Sequence, residues 1–238
     1  MKNIFQYRLT SAIKYLWLPF LIGIIFISCK DEDAEIWPEN PYIMKGLKHN
    51  ELLDNFESEY GEEFGQIQNT LEAEEFILDK MFGDNIEQGF IELSEAKTLL
   101  GLGMDEALSS YDFTNTSVLC NLFNSSSTIK NIMCPTLETL VLLDGNEQNE
   151  QIHSVIREAE IDLMKTSQDE ELHASAMFFL AITAASADRN KAFKSSDKPK
   201  WWKVVLSDGA GAALGFIGGG AASVPLAATF SGAVLRTD

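Results

Sequence analysis

Apolar positions through the middle of the chain recur at the spacing of helices with one buried face. From Leu53 they fall at Phe56, Tyr60, Phe64, Ile67 and Leu71. Those steps of three and four predict an amphipathic helix. Gly61 and Gly65 lie inside it, each costing a helix roughly 1 kcal/mol, so a break is expected there. Ser94, followed by Glu-Ala-Lys-Thr-Leu-Leu, predicts the start of a short helix that Gly101 or Gly103 ends. Asn146 is placed to cap another, with Ile152, Val155, Ile156, Ala159 and Leu163 on its inner face. Between Glu170 and Ala187, the residues Leu172, Ala176, Met177, Phe179, Leu180 and Thr183 make a segment apolar nearly all round, the pattern of a central helix. No sustained alternation of period two appears. The expected fold is all-α, a small irregular bundle over residues 47–190.

The ends of the chain are patterned differently. Residues 1–28 carry Lys2, Arg8 and Lys14 and no acid, and an apolar run extends from Leu16 to Ser28. At 13 residues, that run is shorter than the roughly 20 that span a bilayer, and a basic start before a short apolar stretch is the pattern of a secretory signal. It ends in Phe26-Ile27-Ser28-Cys29, with Lys30-Asp31-Glu32-Asp33 after it. This resembles the lipobox of bacterial lipoproteins, in which cleavage precedes a cysteine that then receives diacylglycerol. Ser28 fits that pattern, whereas Phe26 stands where the family usually has Leu, Val or Ile. The acids after Cys29 are similar to the surface-export signals of some Gram-negative lipoproteins. The resemblance implies a signal peptide at 1–28, acylation of Cys29, and a location in the bacterial cell envelope, at the outer membrane or cell surface. Two or three acyl chains hold a protein on a bilayer where one does not.

Charge extends this picture. The 238-residue chain has 36 acidic and 18 basic residues, a net charge of −18. Such a surface repels phosphate backbones, so no nucleic-acid partner is expected. Much of the acid lies early: residues 30–80 hold 15 acids against four bases. With Pro38 and Pro41 and no periodicity, residues 29–46 read as an acidic, flexible tether. The acids lack the spacing of a calcium loop and are expected to be a solvated face.

Candidate chemistry is sparse. Glu150–His153 and Glu170–His173 each match the Glu-x-x-His pattern of di-iron bundles. In a hairpin these pairs would sit roughly 12–18 Å apart along the axis, and about 30 Å apart on a continuous helix, so they cannot share a metal. No metal or cofactor is expected. Gly209-Ala-Gly211-Ala-Ala-Leu-Gly215 after Val204-Val205-Leu206 imitates a dinucleotide-binding turn, but that fold needs a further strand and an acid about 20 residues on, for which the sequence to Asp238 leaves no room. No nucleophile elbow, Cys-x-x-Cys or phosphate loop occurs, and no catalytic residue is assigned. Cys120 and Cys134 flank a serine-rich loop at 125–127. Outside the cytoplasm they can pair, closing a loop worth about 3 kcal/mol. They can equally be two small buried hydrophobes on neighbouring helices.

The C-terminal segment is the most distinctive. From Gly209 to Leu235, 27 residues carry no charge, and seven are Gly and eight Ala. Small residues recur every fourth position at Ser207, Gly211, Gly215, Gly219 and Ser223, which on a helix lays a smooth groove that lets another helix approach to backbone contact. Pro225 is expected to bend or split the segment into parts too short to span a bilayer, as a kinked helix or re-entrant hairpin. The segment resembles the glycine-zipper tails of bacterial outer-membrane lipoproteins. Before it, a basic linker at 191–203 ends in Lys200-Trp201-Trp202-Lys203, indoles between ammonium groups as at a membrane interface. Residues 204–238 are therefore expected to associate with lipid or with a second copy of the chain, rather than to dock on their own domain. The expected whole is a non-enzymatic, lipid-anchored envelope protein. The alternatives are a secreted, bacteriocin-like membrane-active effector or, third, a surface enzyme using His153 or His173.

Overall fold

The computed structural model describes residues 38–143, 149–166, 170–190, 198–217 and 223–235, and Glu39–Asp238 form one compact unit. The elements are α1 (Ile43–Gln66), α2 (Thr70–Phe82), α3 (Ile86–Leu100), a short α4 (Thr116–Leu119), α5 (Ser127–Leu142), α6 (Asn149–Met164), α7 (Glu170–Asn190), α8 (Lys198–Ile217) and α9 (Ser223–Leu235). Single 3-10 turns stand at Gly83–Asn85, Leu108–Ser110 and Cys120–Phe123. The protein is all-α, with no strand among the described residues. The expected signal peptide at 1–28, Cys29 and the expected tether up to residue 37 lie outside the described residues.

Local chemistry sets the boundaries, not always where the sequence pattern put them. α1 runs unbroken through Gly61 and Gly65, and it begins at Ile43, inside the segment read as tether. The break comes later, because the Asn69 side chain accepts from the backbone N–H groups of Leu71 at 2.9 Å and Glu72 at 3.2 Å and so opens a new helix. α3 starts eight residues before Ser94, which is interior to it, and ends as expected at Gly101, whose φ of 75° few other residues adopt. Pro225 sits in the first turn of α9, where its missing N–H costs no hydrogen bond.

The core is built around three helices. Residues 175–183 of α7 are buried, as are 204–215 of α8 and, apart from half-buried Pro225, 223–234 of α9. α8 and α9 pack on each other, α7 packs on α8, α1 crosses α7, and α2 packs on α9 with α3 beside it. α5 and α6 complete the jacket, α6 against α7 with Ile152, Ile156, Ala159 and Leu163 buried. The domain is thus wider than 47–190, because α8 and α9 supply part of its interior. Close crossings make this possible. A Cβ at Gly211 would lie 2.9 Å from the Ala227 Cα of α9, and one at Gly46 would lie 2.7 Å from the Ala181 carbonyl of α7.

Candidate functional site

The densest polar chemistry in the interior lies where α1, α7, α8 and α9 meet. His49 comes from α1, Thr183 and Ser186 from α7, Asp208 from α8 and Ser231 from α9, and none of the five is exposed. His49 falls four residues before Leu53 and seven before Phe56, so the buried face of α1 carries it inward. Asp208 is the one charged residue between Val204 and Leu235. Its position on α8, one residue before Gly209, brings it against α7 at Ser186.

Hydrogen bonds fix the protonation pattern. The Asn50 amide donates to the Ala185 carbonyl at 2.7 Å, so the Asn50 side-chain oxygen faces His49 Nδ1 at 3.1 Å. Nδ1 therefore carries the ring proton and Nε2 is left as the bare acceptor. Nε2 lies 3.7 Å from Asp208 Oδ2, beyond hydrogen-bonding distance. The Ser186 hydroxyl donates to Asp208 Oδ2, and the Ser231 hydroxyl faces the same carboxyl without closing a bond. Thr183 Oγ1 and Asp208 Oδ1 are also buried without a partner.

Burial dominates the titration of both groups. It pushes the Asp208 carboxyl up to about 8, against the smaller opposing effects of the Ser186 and Ser231 hydroxyls and of Arg189. It pushes the His49 imidazole down to about 4, with the Asn50 bond and Asp54 opposing and Arg189 assisting. At neutral pH an uncharged imidazole faces an uncharged acid. Arg189 stands nearby, its guanidinium bonded to Asp54 at 2.8 Å and Glu57 at 2.9 Å, and fastens the end of α7 to α1. Serine, histidine and aspartate are together, but the Ser186 hydroxyl donates to a carboxyl that is itself protonated at neutral pH and so does not act on it as a base. The arrangement gathers polar groups of four helices at one point, with hydrogen bonds joining α7 to α8 and α1 to α7.

A second buried polar site joins α2 to α3. Lys97 and Glu74, each 2% exposed, form an ion pair, and the Leu108 N–H donates to the other Glu74 oxygen at 2.7 Å. A third holds the chain entry: the Asn40 amide donates to Glu160 at 2.7 Å and to the Met177 carbonyl at 2.8 Å.

The residues singled out in the sequence fall as follows. Cys120 and Cys134 form a disulfide with Cα atoms 5.3 Å apart, linking the turn before α5 to α5 itself. Ser207, Gly211, Gly215 and Ser223 are buried inside the domain, and Gly219 lies outside the described residues. The smooth groove exists at Gly211, but α9 of the same chain fills it where lipid or a second copy was expected. Lys200, Trp201, Trp202 and Lys203 form helical backbone in the first turns of α8, and their side chains lie outside those described. His153 bonds Asp188 at 2.9 Å on the surface, and His173 bonds the Leu163 carbonyl at 3.0 Å, so each has its own structural partner. Among the described residues, no group of three or more His, Cys, Asp or Glu side chains could hold a metal. No described helix is long and apolar enough to cross a membrane.

Sequence reasoning passed over His49, Asp208, Glu74 and Lys97, because charged and polar residues are by default assigned to solvent. For two of them a signal existed: Asp208 interrupts an uncharged run, and His49 extends the Leu53–Phe56 ladder backwards. No protein-family model matches this chain, and no curated protein or solved structure matches it significantly.

Proposed function

We propose that the protein is a non-enzymatic, lipid-anchored component of the bacterial cell envelope, at the outer membrane or cell surface. It presents an acidic helical domain from an acylated Cys29. The observation that carries this reading is the basic leader and short apolar run ending in Phe26-Ile27-Ser28-Cys29. The Cys120–Cys134 disulfide supports it, since such bonds persist in oxidising compartments outside the cytoplasm. The domain's buried polar clusters join helices, which supports a structural role. Cys29→Ala is expected to release the protein from the membrane fraction or leave it as unprocessed precursor, and mass spectrometry of the mature N-terminus should find an acylated cysteine. A native chain that begins at Met1 with a free thiol would overturn the reading.

One observation favours a second reading, a membrane-active effector. The α8–α9 hairpin, uncharged from Gly209 to Leu235, is stored inside acidic helices, so association of the tail with lipid, or with another copy through its small-residue face, requires the hairpin to leave the bundle. Dye release from liposomes by the full chain would favour the effector. Intact liposomes would leave the hairpin as core.

A further inference from the structure

We propose that the end of the domain where the chain enters α1 is a lipid-contacting face, which stands on an anionic bilayer through Ile43, Met44 and Leu47 with Lys45 and Lys48. Ile43 is 40% exposed, Met44 71% and Leu47 54%, in a helix whose opposite side buries Gly46, His49 and Leu53. At 100° per residue, positions 43, 44 and 47 share one outward face and 48 borders it. Both lysines are exposed as well. Apolar side chains bordered on one side by ammonium groups suit the boundary between acyl chains and anionic headgroups.

Three further features select lipid as the occupant. First, charge varies along α1: no acid occurs from Pro41 to Asn50, whereas Glu51, Asp54 and Glu57 follow on the outer side. An anionic surface attracts the first two turns and repels the rest, so the helix meets it by its end rather than along its length. Second, the side chains packed beside this end are apolar, and Glu39, the one acid among described residues 38–42, is exposed and outnumbered by Lys45 and Lys48. The Tyr42 ring packs against Phe178 at 5.2 Å and against Phe216, near the end of α8, at 5.6 Å. Val224 at the start of α9 belongs to the same cluster. Glu160 is taken up by Asn40 and Arg157. Third, only residues 30–42 separate Cys29 from Ile43, a reach of at most about 50 Å. An acylated cysteine therefore keeps this face at high effective concentration beside the bilayer. That third point rests on the lipid-anchor reading, while the exposure and the charge gradient do not.

Methionine oxidation provides the test, with an internal control. Met44 and Met104 are both exposed, at 71% and 59%, and only Met44 lies on the proposed face. The purified full chain is mixed with vesicles of phosphatidylcholine alone or with phosphatidylglycerol added, treated with peroxide, and read by peptide mass spectrometry. Phosphatidylglycerol vesicles should slow Met44 oxidation several-fold and leave Met104 unchanged. Lys45→Glu with Lys48→Glu should abolish that protection, and Lys45→Arg with Lys48→Arg should keep it. Equal Met44 rates in both vesicle types overturn the proposal. The same spectra report the mass of the peptide containing Cys29. An acylated chain with unprotected Met44 sinks this face alone, and an unacylated chain with protected Met44 sinks the anchor and sustains the face.

Discussion

Replacing Asp208 by Asn should reverse the pH dependence of stability. The folded protein holds the Asp208 proton to about pH 8, whereas an exposed carboxyl loses it near 3.8. Between those values the unfolded chain has released a proton that the fold keeps, so stability falls as pH rises, by about 1.4 kcal/mol per pH unit. His49 acts in the opposite sense. The fold refuses its proton down to about pH 4, while the unfolded imidazole takes it up below 6.5, so stability rises with pH across that range. From about pH 4 to 6.5 the two slopes cancel and the wild-type profile should be flat. Above 6.5 only Asp208 still titrates, and about 2 kcal/mol should be lost by pH 8. That is a large share of the roughly 5–15 kcal/mol that holds a domain together. Asn keeps the carbonyl oxygen that accepts from Ser186 and removes the acid. In Asp208→Asn only the His49 slope remains, a gain of about 3 kcal/mol from pH 4 to 6.5 and a plateau above. Urea unfolding followed by circular dichroism across this range measures both profiles. A wild type that gains stability above pH 6.5, or a variant that still loses it there, would refute the assignment of a buried acid.

Other sites give sharper single outcomes. Gly211→Leu forces a side chain into the backbone of α9, and overpacking of that kind costs at least 1–3 kcal/mol, read as a lower urea midpoint or loss of the folded protein. Lys97→Met removes one member of a buried pair and strands the Glu74 carboxylate, so a loss of about 3–5 kcal/mol is expected, and Glu74→Gln in the same chain should recover much of it. Cys120→Ser should cost about 3 kcal/mol through the loop its disulfide closes, and a reducing agent should lower the wild type to the same level without affecting the variant.

Much of the fold was legible in the sequence. The ladder along α1, the inner face of α6 and the all-round apolar α7 announce helices, because a period of 3.6 is a local property of the chain. The end of α3 at Gly101 was legible for the same reason, since a left-handed cap is chosen by the residue itself. The start of α3 was not: Ser94 has the side chain of a cap, but its neighbours continue the helix on both sides.

The sequence by itself determined that the chain is helical, that its C-terminal segment is uncharged, and that Gly211 permits another helix to touch its backbone. Tertiary structure decided which helix that would be. An apolar, small-residue face gains as much from a bilayer, a second copy or a partner in its own chain, and nothing in its spacing distinguishes them. Here α9 and α7 are covalently near and take the face first. Packing also decided the state of Asp208 and His49: each looks ordinary in the sequence, and only enclosure by four helices withdraws the water that would have kept them charged.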